Sequence, residues 1–122
     1  MNLNQVTLPA IDLALSIAFY RRLGFEQIVD APHYARFACP QGDATFSVHR
    51  VDVVAASGVV TYFECSDLDQ QVSSLEQAGI TFDTAPADQP WLWREARLRD
   101  PAGNVLCLYH AGVNRKDPPW RV

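Results

Sequence analysis

The segment RDPAGNVLCLYH, residues 99–110, places a cysteine inside a run of alternating residues that follows a turn. Cys107 has three conceivable roles there: a ligand for a soft metal ion, a nucleophile, or a small thiol that fills space in the interior. A nucleophilic cysteine needs a nearby base that lowers its pKa. His49 is the candidate, because His110 points to the opposite face of the strand that carries Cys107. The space-filling role is the interpretation that we favour, and the catalytic role stays open.

The three cysteines, Cys39, Cys65 and Cys107, are odd in number and widely spaced. This spacing suits neither a disulfide framework nor a pair of zinc knuckles. The N-terminal segment MNLNQVTLPA has no charged stretch followed by an apolar one, so it does not resemble a signal peptide. We therefore expect a cytoplasmic protein with free thiols and no bound cofactor.

The composition is that of an ordinary globular domain. The chain has 122 residues, of which 48% are hydrophobic and 20% are charged, with a formal net charge of −4. No run of Lys and Arg could follow a phosphate backbone, so nucleic acid is not an expected partner. The apolar stretches are too short to span a bilayer, so a membrane is not an expected partner either.

The order of predicted elements repeats once along the chain. The first half predicts a strand, a helix and three strands, at residues 3–9, 12–23, 25–30, 33–39 and 44–50. The second half predicts the same order, in the segments GVVTYFECS, 67–78, ITFDT, LWREARLRD and NVLCLYH. Asp12 and Asp67 are the expected N-caps, and Gly24 and Gly79 are the expected stops. The pattern returns after about 55 residues and predicts two βαβββ modules.

Each module has only one helix, which can cover only one face of its sheet. The other face is therefore expected to stay open and curved. The predicted fold class is α+β, with two βαβββ modules at about residues 3–50 and 59–110 inside a single domain, residues 1–112.

Three segments together resemble the vicinal-oxygen-chelate superfamily: VTLPAIDLALSIAFYRRLGF, FECSDLD and DPAGNVLCLY. This superfamily includes glyoxalase I, bleomycin-resistance proteins, fosfomycin-resistance enzymes and extradiol dioxygenases. The resemblance covers about residues 3–110. It implies the glyoxalase/bleomycin-resistance-like fold, with a pocket on the open sheet face that is usually completed in a homodimer. The fold supports several chemistries as well as simple binding, so the resemblance alone does not select a reaction.

Metal-dependent members of this superfamily carry His, Glu or Gln at four strand positions. By resemblance, these positions fall at Gln5, Ser47, Val60 and Cys107. Valine cannot bind a metal, serine is a poor ligand, and the neutral amide of Gln5 is a weak one. We expect no metal here; a partial site formed by His49, Cys107 and Gln5 is the alternative.

The period of two along each strand predicts which residues face the pocket. The expected ligand-binding residues are Gln5, Ser47, His49, Val60, Tyr62, Glu64, Trp93, Glu95, Arg97, Cys107, Tyr109 and Trp120. On the segment WLWREARLRD, the residues expected to face the helix are Leu92, Ala96 and Leu98. Arg97 has two open interpretations, an internal ion pair with Glu95 or Glu64 and a contact with substrate. Trp91 and Trp93 also have an alternative interpretation, in which they pack at an edge of the sheet or at a subunit interface.

The C-terminal segment AGVNRKDPPWRV differs from the rest of the chain. Pro118 and Pro119 stiffen it, and Trp120 is a large aromatic that we expect to dock on the pocket rim or on a second subunit.

The expected function is metal-independent binding of an aromatic or amphipathic small molecule, in the manner of bleomycin-resistance proteins. The alternative is a glyoxalase-like lyase or an extradiol-dioxygenase-like enzyme with a remodelled metal site.

Overall fold

The structure, a computed structural model, describes all residues from Met1 to Val122. The chain divides into two compact units, each with one helix and one four-stranded sheet. The first unit comprises Met1–Gly58 and Asp100–Asn104, and the second comprises Val59–Arg99 and Val105–Val122. Neither helix has the length and apolar character that a membrane span requires.

The first unit has the predicted βαβββ order. Its elements are β1 (Gln5–Ala10), α1 (Leu13–Arg22), β2 (Glu26–Ala31), β3 (Tyr34–Ala38) and β4 (Thr45–Arg50). The sheet order is β1-β4-β3-β2, with β1 parallel to β4 and the other pairs antiparallel. The chain therefore returns after the β2–β3–β4 meander to place its last strand beside its first.

The second unit repeats this topology. Its elements are β5 (Val60–Glu64), α2 (Leu68–Gln77), β6 (Ala87–Asp88), β7 (Arg94–Arg99) and β8 (Val105–His110), followed by a 3₁₀ turn at Gly112–Arg115. The sheet order is β5-β8-β7-β6, and β5 runs parallel to β8. Two mixed open sheets with one helix each confirm the α+β fold class that the sequence predicted.

Both helices begin and end in the same way, which explains the repeated Asp-Leu and Gly-apolar pairs of the sequence. The side chain of Asp12 accepts a hydrogen bond from the Leu15 amide, and that of Asp67 accepts one from the Gln70 amide. Gly24 has φ of +102° and Gly79 has φ of +91°, conformations that suit glycine. The amide after each glycine then donates back to a carbonyl five residues earlier, which closes the last turn.

Each unit buries an apolar layer between its helix and one face of its sheet. In the first unit, Tyr20 of α1 is fully buried and contacts Phe37 and Phe46, with ring centroids 5.6 and 4.9 Å from its own. In the second unit the buried residues of this layer are aliphatic: Leu68, Val72, Leu75, Ile80, Ala96, Leu98, Leu106 and Leu108. The opposite face of each sheet remains for polar and aromatic side chains.

Two predictions for the second unit are wrong. The segment ITFDT, residues 80–84, is not a strand, because Ile80 completes the end of α2 and its amide donates to Leu75. The edge strand of this sheet is instead the short β6, and the amides of Asp83 and Thr84 both donate to the Arg97 carbonyl. Leu92 does not face the helix: it precedes β7, has φ of +65° and is 47% exposed.

Candidate ligand-binding site

The open face of the second unit carries two rows of side chains across three neighbouring strands. One row aligns Tyr62 of β5, Cys107 of β8 and Arg97 of β7. The next row aligns Glu64, Tyr109 and Glu95. Because residues paired across a sheet share a face, all six side chains lie on the side opposite the aliphatic core.

Three aromatic rings, Tyr62, Trp93 and Tyr109, form one aromatic cluster on this face. Trp93 stacks on Tyr109, with ring centroids 4.7 Å apart and an angle of 26° between the planes. Tyr62 meets both rings edge-on, at 5.9 Å from Trp93 and 5.5 Å from Tyr109. Stacked and edge-to-face pairs hold the three rings in fixed orientations, and Tyr62 remains 42% exposed.

Cys107 lies fully buried beneath this cluster, with Val60 and Trp93 packed nearby. Burial raises the pKa of the Cys107 thiol to about 12, and the negative charge of Glu95 adds to the rise while Arg97 opposes it. A thiol with this pKa stays protonated at neutral pH, whereas both a nucleophile and a metal ligand need the thiolate. This environment fits the space-filling role of Cys107.

Glu95 is 5% exposed and is held by its neighbours. The indole Nε1 of Trp91 donates a 2.8 Å hydrogen bond to Glu95 Oε1, and Arg97 Nη2 lies 3.7 Å from Oε2. The ion pair between Arg97 and Glu95 is present but long, so it is compatible with a contact between Arg97 and a substrate.

Beside these residues lies a cleft of about 410 Å³, whose lining includes Thr84, Ala87, Gln89, Trp91, Glu95 and Arg97. We call it the Trp91 cleft.

Glu64 is committed to the C-terminal segment. Its Oε2 accepts hydrogen bonds from the amides of Ala111 and Gly112, at 2.7 and 2.9 Å, and its Oε1 lies 3.5 Å from Arg115 Nε. The Nε1 of Trp93 also donates to the Asn114 carbonyl, at 3.4 Å. Glu64 therefore fastens the start of the tail beside the aromatic cluster.

The open face of the first unit carries a closed network of small polar groups. Gln5 Nε2 donates to Ser47 Oγ at 2.9 Å, and Thr7 Oγ1 lies 2.8 Å from the same oxygen. Thr45 donates to the other side of the Gln5 amide. Ser47 is fully buried, so its hydroxyl serves the strand pairs β1–β4 and has no free coordination position.

Two further residues on the same face, Tyr34 and Arg36, were not among those expected from the sequence. Arg36 pairs with Ser47 across β3 and β4, and Tyr34 pairs with His49. Arg36 Nε donates a 2.9 Å hydrogen bond to the Tyr34 hydroxyl, and its guanidinium lies 5.4 Å from the ring centroid. The Ser47 hydroxyl and then Arg36 lower the pKa of Tyr34. The alternation of residues in the segment YARFA is the sequence pattern that could have predicted their position on the open face.

In the second unit, residues 84–89 of the Trp91 cleft show no such alternation, because they lie mostly outside regular strands.

The donor set at the four positions of the superfamily's metal site does not fit a metal. Gln5 and Ser47 bond to each other, the Val60 side chain is a hydrocarbon, and Cys107 is the one strong donor of the four and is fully buried. No group of three or more His, Cys, Asp or Glu side chains is arranged to hold a metal ion.

The structure brings some of the expected site residues together and leaves others apart. In the second unit, seven of the expected residues lie together at the open face of the sheet: Tyr62, Glu64, Trp93, Glu95, Arg97, Cys107 and Tyr109. Glu95, Cys107 and Tyr109 form its buried part, and Val60 packs against Cys107 and Tyr109. In the first unit, Gln5 contacts Ser47, whereas His49 is exposed beside Tyr34. Trp120 is 56% exposed in the single chain, so its docking stays a prediction for an assembly.

The chain belongs to the Glyoxalase/Bleomycin resistance protein/Dioxygenase superfamily, whose family model matches residues 2–108. This match confirms the family that the sequence resembled. It covers the first unit almost completely and the second unit up to Leu108 in the last strand. No curated protein sequence is a significant match.

Several solved structures share this fold. A bleomycin-binding protein in complex with bleomycin is 25% identical, with a TM-score of 0.74, over 90% of this chain and 98% of that chain. A bleomycin resistance determinant encoded on the transposon Tn5 is 24% identical, with a TM-score of 0.76, over 90% of this chain and 98% of that one. Lactoylglutathione lyase from Agrobacterium tumefaciens is 22% identical, with a TM-score of 0.75, over 92% of this chain and 95% of that one. Because the last two proteins are less than 25% identical to this chain, their similarity shows the shared fold alone.

Proposed function

We propose that this protein is a metal-independent binding protein of the bleomycin-resistance type. The observation that carries the proposal is the aromatic cluster, which lies on the same sheet face as the lining of the Trp91 cleft. The candidate catalytic groups of this unit are already engaged: Cys107 is protonated, Glu95 is bonded to Trp91, and Glu64 holds the tail. A surface of this kind can hold a molecule and has no evident means to transform it.

The ligand that suits this surface is a planar aromatic or amphipathic small molecule. The aromatic rings of Tyr62 and Trp91 are partly exposed and offer a large apolar area. Each ring system also carries one polar atom. The similarity to a bleomycin-binding protein supports a binding role of this type. We further propose that the protein acts as a homodimer in the cytoplasm, where its three free cysteines would stay reduced.

The enzymatic alternative, a lyase or dioxygenase with a remodelled metal site, has support from the fold shared with lactoylglutathione lyase. It is disfavoured by the donor set described above. Its distinguishing feature would be turnover that depends on an added divalent metal, which a binding protein does not show.

The test combines binding and turnover on the same preparation. Native mass spectrometry of gently purified protein would detect a co-purified small molecule, and tryptophan fluorescence would follow titration with planar aromatic compounds. We expect saturable binding, weakened when Tyr62→Ala opens the aromatic cluster and unchanged by Arg94→Gln, whose side chain lies outside the Trp91 cleft. Metal-dependent lactoylglutathione lyase or catechol-cleaving activity, in a chain that binds no aromatic compound, would overturn the proposal.

A further inference from the structure

The Trp91 cleft contains one acidic and one basic side chain, and only the basic one is available to a ligand. Glu95 is 5% exposed, one oxygen accepts from Trp91, and the other faces Arg97. A ligand cation would have to displace these neighbours to reach the carboxylate. Glu95 therefore serves to position the Trp91 indole and to hold Arg97 on the wall of the cleft.

Arg97 is far less committed than Glu95. Its side chain is 37% exposed and lines the cleft. Its only side-chain hydrogen bond runs from Nη2 to the Tyr62 hydroxyl, at 3.3 Å, and its ion pair with Glu95 is 3.7 Å long. A guanidinium has five N–H donors, so most of those on Arg97 lack a protein partner.

The other two arginines of β7 differ from Arg97, because their guanidinium groups make several hydrogen bonds to aspartate side chains. Arg94 makes hydrogen bonds to both Asp69 and Asp88, at 3.0 to 3.1 Å. Arg99 makes two to Asp83, at 3.0 and 3.3 Å. Neither of them lines the Trp91 cleft. Arg97 is thus the arginine of this strand that keeps donors for a ligand.

We propose that the Trp91 cleft binds an aromatic carboxylate, with the carboxylate on Arg97 and the ring against Trp91. This inference rests on the proposed binding function and names the chemical class of the ligand. The planar fork of a guanidinium matches a carboxylate in two parallel charge-assisted hydrogen bonds, which a neutral or cationic group cannot reproduce. The indole of Trp91 is fixed by Glu95, so the ring contact costs little ordering.

The test compares three ligands with one ring system and three charges. They are 2-naphthoate, 2-naphthamide and 2-naphthylmethylamine, each titrated into the full-length protein by calorimetry at neutral pH. We expect naphthoate to bind about tenfold or more tightly than naphthamide, as a charge-assisted pair predicts, and the amine to bind weakest.

Three variants locate the selectivity. Arg97→Gln should bring naphthoate to the affinity of naphthamide, and Arg97→Lys should keep part of the preference because it retains the charge and loses the planar fork. Arg94→Gln removes the same charge from the same strand outside the cleft and should leave the preference unchanged. Circular dichroism checks that each variant is folded.

The outcomes separate this inference from the proposed function. If naphthamide binds as tightly as naphthoate, the carboxylate assignment is wrong and the binding function stands. A preference for the amine would overturn the assignment and make Glu95 the anchor. If none of the three compounds binds at millimolar concentration, both the inference and the proposed binding of aromatic molecules fail.

Discussion

The hydroxyl of Tyr20 donates a 2.6 Å hydrogen bond to the carboxylate of Asp100, which lies 80 residues further along the chain. Asp100 is 5% exposed and also accepts from the amides of Ala102 and Asn104 and from the Asn104 side chain. The Asn104 side chain in turn donates to the Pro9 carbonyl. Two of the segments that carry the family resemblance, VTLPAIDLALSIAFYRRLGF and DPAGNVLCLY, therefore meet in one buried structural network of the first unit.

The first prediction concerns this network. Tyr20→Phe removes the hydroxyl and deprives a buried carboxylate of one of its donors, so the free energy of unfolding should fall by about 1.5–3 kcal/mol. Urea denaturation followed by circular dichroism measures the loss. Tyr34→Phe, which changes a partly exposed hydroxyl, is the matched control and should cost much less. Equal stability of the Tyr20→Phe variant and the unchanged protein would show that the hydrogen bond is not stabilising.

The fold was accessible from the sequence because each helix carries its own local start and stop signals. Asp12, Gly24, Asp67 and Gly79 act within a few residues of their positions, so their effect does not depend on the tertiary structure. The error at residues 80–84 has the opposite origin. Their alternation suits a strand, but the amide of Ile80 is already used by the end of α2.

The composition of the open faces was also accessible, because strand alternation fixes which side chains share a face. The hydrogen-bond partners on those faces were not. Nothing in the sequence shows that Ser47 binds Gln5, or that Glu64 accepts from two amides near residue 111. These contacts depend on the register between strands distant in sequence, which the local pattern does not encode.

The second prediction concerns the reactivity of Cys107. Because its pKa is raised to about 12, the thiol should resist iodoacetamide at pH 8. Burial also raises the pKa of Cys39 and Cys65, but both are only partly buried, so they should react slowly and still faster than Cys107. Peptide mass spectrometry after alkylation identifies the modified cysteines, and denatured protein, in which all three should react, is the control. Selective alkylation of Cys107 in the folded protein would restore the nucleophile hypothesis.

The same pKa shift predicts a dependence of stability on pH. A thiol whose pKa is raised from 9.0 to about 12 on folding favours the folded state below pH 9. This contribution is lost as the pH rises from 9 toward 12, because the unfolded thiol ionises first. Between those values, the stability of Cys107→Ala should fall less steeply with pH than that of the unchanged protein. Parallel slopes in urea titrations at pH 8, 9 and 10 would contradict the shift.

The third prediction is that the protein carries no stoichiometric transition metal at Gln5, Ser47, Val60 and Cys107. The Ser47 hydroxyl is engaged by Gln5 and Thr7, Val60 offers no donor atom, and the fully buried Cys107 would have to lose its proton to bind a metal. Elemental analysis of protein purified without chelators and without a metal-affinity tag is the measurement. Zinc, nickel, manganese or iron that survives dialysis and is lost in Cys107→Ala would show that a partial site exists.

The last prediction concerns the C-terminal tail, whose start is fastened by Glu64 and whose Trp120 is 56% exposed in the single chain. Pro118 and Pro119 limit the backbone freedom of this segment, so little entropy is lost when the tryptophan docks. Full burial of Trp120 would contribute on the order of 2–3 kcal/mol, less the remaining ordering cost. We therefore expect Trp120 to be buried against a second subunit or over a bound ligand.

Truncation after Gly112 distinguishes these two positions of the tail. If the tail clamps a dimer, the truncated protein should shift toward monomer in analytical ultracentrifugation; if it covers the ligand, affinity should fall at constant oligomeric state. Trp120→Ala should reproduce the larger part of either effect, because the Trp120 side chain supplies most of the apolar area that docking of the tail would bury. Thermal unfolding should change little, since the tail contributes no residue to the buried cores of the two units. A truncated protein with unchanged dimerisation and ligand affinity would contradict both roles and leave residues 113–122 as a passive extension.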